Sequence, residues 1–247
     1  MVTAAAAPRY AAARRIGGRS HQCDATAVAS FGGTVAHVLQ DGMGCSDEIA
    51  HWTQATARQL AETAARLGDA DAALRQVHAA AAAEPGRDER WRTMPRAVAV
   101  VAVFRPGVPV QIAWCGDARA YRRGLDGVVR RITDDHNDRQ DALERGLPGE
   151  DRSKVLSFLG DPRPSPRFGA RTEPAEGLLL LISEGGYEPL EELGCELWVH
   201  LLGPLDEVAD DMAAFAAAGD PNADNATVVV IDLSPDHQPP RPGAHRA

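Results

Sequence analysis

The 247-residue chain is 44% hydrophobic and 25% charged, a balance typical of soluble globular proteins that excludes a collagenous or wholly disordered chain. Its formal net charge of −9 leaves no basic footprint for a phosphate backbone, which argues against nucleic acid as a partner. No apolar run approaches the roughly 20 residues that cross a bilayer, so no membrane segment is expected.

The opening MVTAAAAPRYAAARR has alanines and a proline but lacks the apolar core of a secretory leader, and residues 1–13 read as a flexible segment. Residues 14–233 read as one domain, because no shift in composition divides them. β-branched, turn-bounded runs predict strands over Ala25–Ser30 and Thr34–Gln40. Helical spacing of Ile49, Trp52, Leu60 and Leu67 predicts a helix over Asp47–Leu67, and Gly68-Asp69 separates it from a second over Ala70–Ala83. Strands follow at Ala97–Phe104, Val110–Cys115, Ala118–Arg122 and Gly127–Ile132, with hairpin-type turns at Pro106-Gly107 and Asp126-Gly127. Short helices are expected at Arg139–Arg145 and Ser153–Leu159, and strands at Arg167–Thr172 and Leu178–Ser183. A last helix over Leu205–Ala218, opened by Pro204 and closed by Gly219, precedes a strand at Ala226–Leu233. The Pro-rich segment 234–247 reads as a disordered tail. About nine strands in meanders, with helices in blocks between them, imply sheets packed face to face with helix pairs outside rather than a parallel α/β sheet. Cys23, Cys45, Cys115 and Cys195 show no C-x-x-C spacing, which suits a reducing, cytoplasmic setting.

Acidic residues end strands in three distant places: Asp41-Gly42, Glu184-Gly185 and Asp224-Asn225. Carboxylates gathered at one point repel each other unless a hard cation such as Mg²⁺ or Mn²⁺ neutralises them. Two such ions, about 3.5–4 Å apart, would activate a bridging water for in-line attack on phosphorus. Spacing alone equally allows these to be turn residues, since Asp-Gly and Asp-Asn close hairpins.

Five ordered motifs, one of them a pair of segments, tip the balance. Arg19-Ser20-His21-Gln22-Cys23-Asp24-Ala25 is similar to the R-x-x-N-(Q/E)-D-A opening of the metal-dependent type 2C serine/threonine phosphatases, and Asp41-Gly42-Met43-Gly44 matches their D-G-M-G. The segment from Gly116 to Tyr121 resembles their G-D-S-R-A-Y, followed by Ile132-Thr133-Asp134-Asp135-His136 in place of L-T-x-D-H. Ser183-Glu184-Gly185 stands where the family has S-D-G, and Asp224-Asn225-Ala226-Thr227-Val228-Val229-Val230 matches D-N-x-T-V-V-V. The resemblance implies an α+β, four-layer α-β-β-α sandwich of two antiparallel sheets. It also implies a monomeric bacterial enzyme that binds two Mn²⁺ or Mg²⁺ ions, with a weaker third. Asp41 then resembles the bridging metal ligand, Gly42 the donor of a backbone carbonyl, Glu184 and Asp224 the remaining direct ligands, and Asp24 an outer or water-mediated one. Asp117 matches the position that helps hold the third ion, and Arg19 resembles the clamp on the phosphate, a task suited to a planar, always charged fork.

The departures fall at the same centre. Gln22 and Cys23 replace Asn and Gln/Glu, Cys45 replaces a glycine, and Glu184 replaces Asp with a longer carboxylate. Loss of groups that orient metal-bound water commonly costs about 10–100-fold. Two functions therefore follow from one fold. The first is hydrolysis of a phosphorylated protein or small phosphorylated substrate; the second is a pseudophosphatase that binds a phosphorylated partner without turnover. A scaffold without any metal is a third. His136 reads as a structural hydrogen-bonder rather than a general acid, and Cys23 and Cys45 read as small hydrophobes.

Overall fold

The computed structural model describes residues 7–89, 94–148, 154–194, 201–218 and 220–234. Ten strands pair antiparallel throughout. β1 (Arg9–Arg15), β10 (Ala226–Asp232), β9 (Leu178–Ile182), β6 (Arg119–Arg123) and β7 (Val129–Arg131) lie in that order in one sheet. β2 (Ala25–Phe31), β3 (Thr34–Gly42), β4 (Ala97–Phe104), β5 (Val110–Cys115) and β8 (Gly169–Glu173) form the other.

The burial of β4 shows how the layers arise, because all eight of its residues are buried while its side chains alternate between two cores. Val98, Val100, Ala102 and Phe104 join Leu39, Ile112, Trp114, Leu179, Leu181, Val229 and Ile231 between the sheets. Ala99, Val101 and Val103 face the other way, onto Leu60, Ala64, Leu74 and Val77 of α1 (Asp47–Leu67) and α2 (Ala70–Ala82). On the far side, Leu180, Ile182, Val228 and Val230 pack against α4 (Glu184–Glu192) and α5 (Leu205–Ala217). The result is the four-layer α-β-β-α sandwich. One further short helix, α3 (Asp138–Glu144), lies outside these pairs.

Local chemistry explains the helix ends. Ser46 caps α1 by accepting from the Ile49 N–H, Asp47 and Glu48 complement its positive end, and Gly68 closes it in the left-handed region with φ 64°. Asp69 then caps α2 through the Ala72 N–H.

Three expectations are corrected. Arg9–Arg15 is a strand along β10, not part of a flexible segment. Residues 154–159 are not helical; they run through isolated bridges that pair Val155 with Asn137 and Leu159 with Ala97. Glu184–Glu192, unassigned from sequence, is helix α4. The expected tail at 235–247 and residues 1–6 lie outside the described residues, as does Cys195.

Candidate metal centre

Strand register brings the acidic positions to one end of the sandwich. In one sheet the start of β2 opposes the end of β3 (Ala25 opposite Gln40), and the end of β5 opposes the start of β4 (Cys115 opposite Ala99). Asp24, Asp41 and Asp117 therefore leave that sheet at the same edge. In the other sheet, the end of β9 opposes the starts of β10 and β6, with Ile182 across from both Val228 and Arg119. That pairing places Glu184 and Asp224 beside the same edge.

Hydrogen bonds fasten these segments to each other. The Asn225 side chain accepts from the Cys23 N–H at 2.7 Å and donates to the Ile16 carbonyl at 2.9 Å. The Ser183 hydroxyl accepts from the Thr227 N–H at 2.9 Å, and the Ser183 N–H donates to the Thr227 carbonyl at 3.0 Å. The Glu184 N–H, in the first turn of α4, donates to Asp41 Oδ2 at 3.3 Å, so Asp41 faces the positive end of that helix. Two glycines permit the close approach. A Cβ on Gly42 would meet the Cys23 carbonyl oxygen at 2.4 Å, and one on Gly185 would meet the Asn225 carbonyl oxygen at 2.3 Å.

The electrostatics is that of crowded buried acids. Burial raises the Asp41 pKa well above the usual carboxylate range, and repulsion from Asp24, Asp117, Glu184 and Asp224 adds to it. Burial pushes Asp24 up to about 7, against the nearby Thr227 and Ser183 hydroxyls, which favour its charge. Asp117 also rises to about 7, through burial and then Asp135, with Arg119 opposing. Both carboxylate oxygens of Asp24 and Oδ2 of Asp117 are buried without a well-formed hydrogen bond. Among the described residues no three His, Cys, Asp or Glu side chains already stand as a coordination set. Repulsion reaches well beyond a metal–oxygen bond of about 2.0–2.6 Å, so acids can converge without standing at ligand distance.

Arg19 does not stand free for a phosphate. Its Nη2 donates to Asp224 Oδ2 at 2.7 Å, with both side chains about half exposed, while Asp224 Oδ1 accepts from the Asn225 N–H. Gln22 turns inward on the backbone, its amide donating to the Arg15 carbonyl at 3.1 Å and its oxygen accepting from the Asp24 N–H at 3.0 Å. The buried Cys23 thiol points to the Ser46 carbonyl at 3.7 Å. His136 accepts from the Gly116 N–H at 3.3 Å and stacks on Trp114, and burial lowers its pKa to about 4. It is thus a neutral structural acceptor, as its sequence context suggests. Sequence reasoning gave no role to Asn225, Ser183 or Thr227; the only available signal was their place within the D-N-A-T and S-E-G segments.

The antiparallel α-β-β-α sandwich is the architecture of the metal-dependent phosphatases. Solved structures of the same architecture include the serine/threonine phosphatase PstP/Ppp of Mycobacterium tuberculosis, 26% identical over 92% of this chain and 99% of that one, with a TM-score of 0.71. The PstP catalytic domain in complex with two manganese ions is 26% identical over 91% and 97%, with a TM-score of 0.69. PppA of Pseudomonas aeruginosa, described as a key regulatory component of T6SS, is 22% identical over 92% and 98%, with a TM-score of 0.74, and supports the fold. No family profile and no curated protein matches the sequence. Over nearly its whole described length the chain has the fold of the bacterial metal-dependent, type 2C serine/threonine phosphatases, to which these structures belong.

Proposed function

We propose that this protein is a metal-dependent phosphatase that hydrolyses phosphoserine and phosphothreonine monoesters. The observation that carries the reading is the gathering of Asp24, Asp41, Asp117, Glu184 and Asp224 at one edge, with both Asp24 carboxylate oxygens and Asp117 Oδ2 buried without a well-formed hydrogen bond. Oxygen-only donors of this kind fit hard divalent cations, and the manganese bound by PstP is consistent with that choice. Asp41, Glu184, Asp224 and the Gly42 carbonyl would hold two such ions, Asp24 would support them through bound water, and Asp117 would help hold a third, weaker one.

Two Mn²⁺ or Mg²⁺ ions bound there would supply charge neutralisation and a water acidic enough to attack phosphorus at neutral pH. The protein's own residues do the remainder. Asp24 and Asp117, held near neutrality in the metal-free protein, give up protons as a cation arrives. Arg19 exchanges the Asp224 carboxylate for two phosphoryl oxygens, orienting the monoester for in-line displacement. No side chain forms a covalent intermediate.

Cys23 favours a second reading, a weak or inactive phosphatase that binds phosphorylated partners. Its thiol faces the Ser46 carbonyl, where the family carries an amide or carboxylate able to orient water. Hydrolysis of p-nitrophenyl phosphate and of a phosphothreonine peptide, with and without Mn²⁺, separates the two. Turnover that requires Mn²⁺ and disappears in Asp41→Asn supports the enzyme. Peptide binding without turnover supports the pseudophosphatase.

A further inference from the structure

We propose that Cys45 is a thiol modification site, activated by Ser20 and His21, that takes low-molecular-weight disulfides and so closes the approach to the phosphate clamp. The three residues Cys45, Ser20 and His21 come from two loops that meet beside the candidate metal centre. Cys45 follows Asp41-Gly42-Met43-Gly44, and Ser20 and His21 follow Arg19. The Ser20 hydroxyl lies 3.2 Å from Cys45 Sγ and 2.8 Å from His21 Nδ1, and the thiol itself is 3.7 Å from that nitrogen. On the other side of the ring, His21 Nε2 is 3.5 Å from Asp47 Oδ1. A nucleophile, a base within reach and a carboxylate on the base's far nitrogen form the arrangement that activates cysteines elsewhere.

Three features separate this thiol from the other described cysteines. Cys45 is partly exposed, whereas Cys23 and Cys115 are buried. It immediately precedes Ser46, the cap of the 21-residue helix α1, whose positive end favours a thiolate. The Ser20 and His21 contacts hold its pKa down at about 7, whereas burial pushes Cys23 up and Cys115 up to about 12. The groups facing it are Ser20, His21 and Cys23 from the loop before β2, while Asp47, the first residue of α1, meets the far side of the His21 ring. The reading of Cys45 as a small buried hydrophobe is thereby replaced.

The chemistry balances without a further reagent. The thiol proton passes through the Ser20 hydroxyl to His21 Nδ1, and the thiolate attacks one sulfur of the disulfide. The S–S bond breaks as the Cys45 mixed disulfide forms, and the departing thiolate takes the proton from the imidazolium. Cys45 is oxidised and half of the reagent is reduced to thiol. An adduct at Cys45 displaces Ser20, the chain neighbour of Arg19, and stands over the phosphate site. That last consequence rests on the proposed phosphatase reading; the reactivity of the thiol does not.

The test uses 5,5′-dithiobis(2-nitrobenzoate) on the full chain, following the released aromatic thiolate and mapping the labelled peptide by mass spectrometry. The expected result is one fast thiol at about pH 7, assigned to Cys45, absent in Cys45→Ser and slowed about tenfold or more in His21→Gln. Its rate should have a pH midpoint near 7 that rises towards the ordinary thiol value of about 8.5 in His21→Gln. Labelling at Cys45 no faster than a cysteine peptide, or a midpoint unmoved by His21→Gln, overturns the proposal. Under the phosphatase reading, labelling also lowers Mn²⁺-dependent hydrolysis at least about tenfold, is reversed by dithiothreitol and spares Cys45→Ser. Fast labelling with unchanged turnover overturns the closure while leaving the modification site, and fast labelling of a protein that has no turnover counts against the phosphatase reading alone.

Discussion

Asp41 sits where burial and four neighbouring carboxylates all oppose its ionisation. Substituting it therefore separates function from stability. Asp41→Asn keeps the shape and removes an ionisation that the metal-free fold opposes, so the metal-free variant at about pH 8 should melt higher than the parent. A gain of about 1 kcal/mol corresponds to about 2–4 °C in a chain of this size. The same substitution should shrink the stabilisation by Mn²⁺, and thermal scans with EDTA and with Mn²⁺ read both effects. Arg19 makes the opposite case. Its pair with Asp224 is half exposed and contributes at most about 1 kcal/mol, so Arg19→Ala should leave the melting temperature nearly unchanged. Loss of charge-assisted bonds to phosphate, about 1.5–3 kcal/mol, should lower kcat/KM about 10–150-fold. Calorimetry should find Mn²⁺ bound at least as tightly, because Asp224 no longer has a competing cation beside it.

At the scale of the elements, Asn225 carries more than its neighbours in sequence suggest. It ties the start of β10 to the end of β1 and the start of β2. Asn225→Ala leaves the Cys23 N–H and the Ile16 carbonyl without partners in a largely buried setting, and should cost about 2–4 kcal/mol in urea unfolding. β4 and β10 were legible in the sequence because continuous apolar runs admit few other structures. α4 was not, since Gly185, Gly186 and Pro189 are poor helix formers, and its glycines answer a tertiary need: a Cβ at Gly185 would strike Asn225. β1 escaped notice because its three alanines, flanked by Arg9-Tyr10 and Arg14-Arg15, gain a partner only when β10, more than two hundred residues on, lies beside it. The acidic segments could be picked out by the order of their motifs, and strand register brings them to one end of the sandwich. The pairing of Arg19 with Asp224 and the exposure of Cys45 could not, because both depend on how distant loops meet.

For the whole molecule, the buried acids and histidines set opposing pH dependences. Asp24 and Asp117 titrate near 7 in the fold against an ordinary value near 4, and Asp41 is also raised, so the native state holds extra protons above pH 4. The contribution of Asp24 and Asp117 is complete below about pH 4 and is lost as pH rises through 7. His37 and His136 are lowered by burial to about 4, and His78 is also lowered, so their contribution is lost as pH falls below 6.5. Between about pH 4 and 6.5 the two sets oppose each other. Above 6.5 the raised carboxyl groups outnumber the one opposing group, the lowered Cys45 thiol, and the metal-free protein should lose stability from about pH 6.5 to 8. A divalent cation among Asp41, Glu184 and Asp224 replaces those protons, so Mn²⁺ should abolish the decline while releasing protons measurable in buffers of different ionisation enthalpy. A metal-free melting temperature that is level or rising over this interval, or a decline unaltered by Mn²⁺, would show that these carboxyl groups neither share one field nor bind one cation.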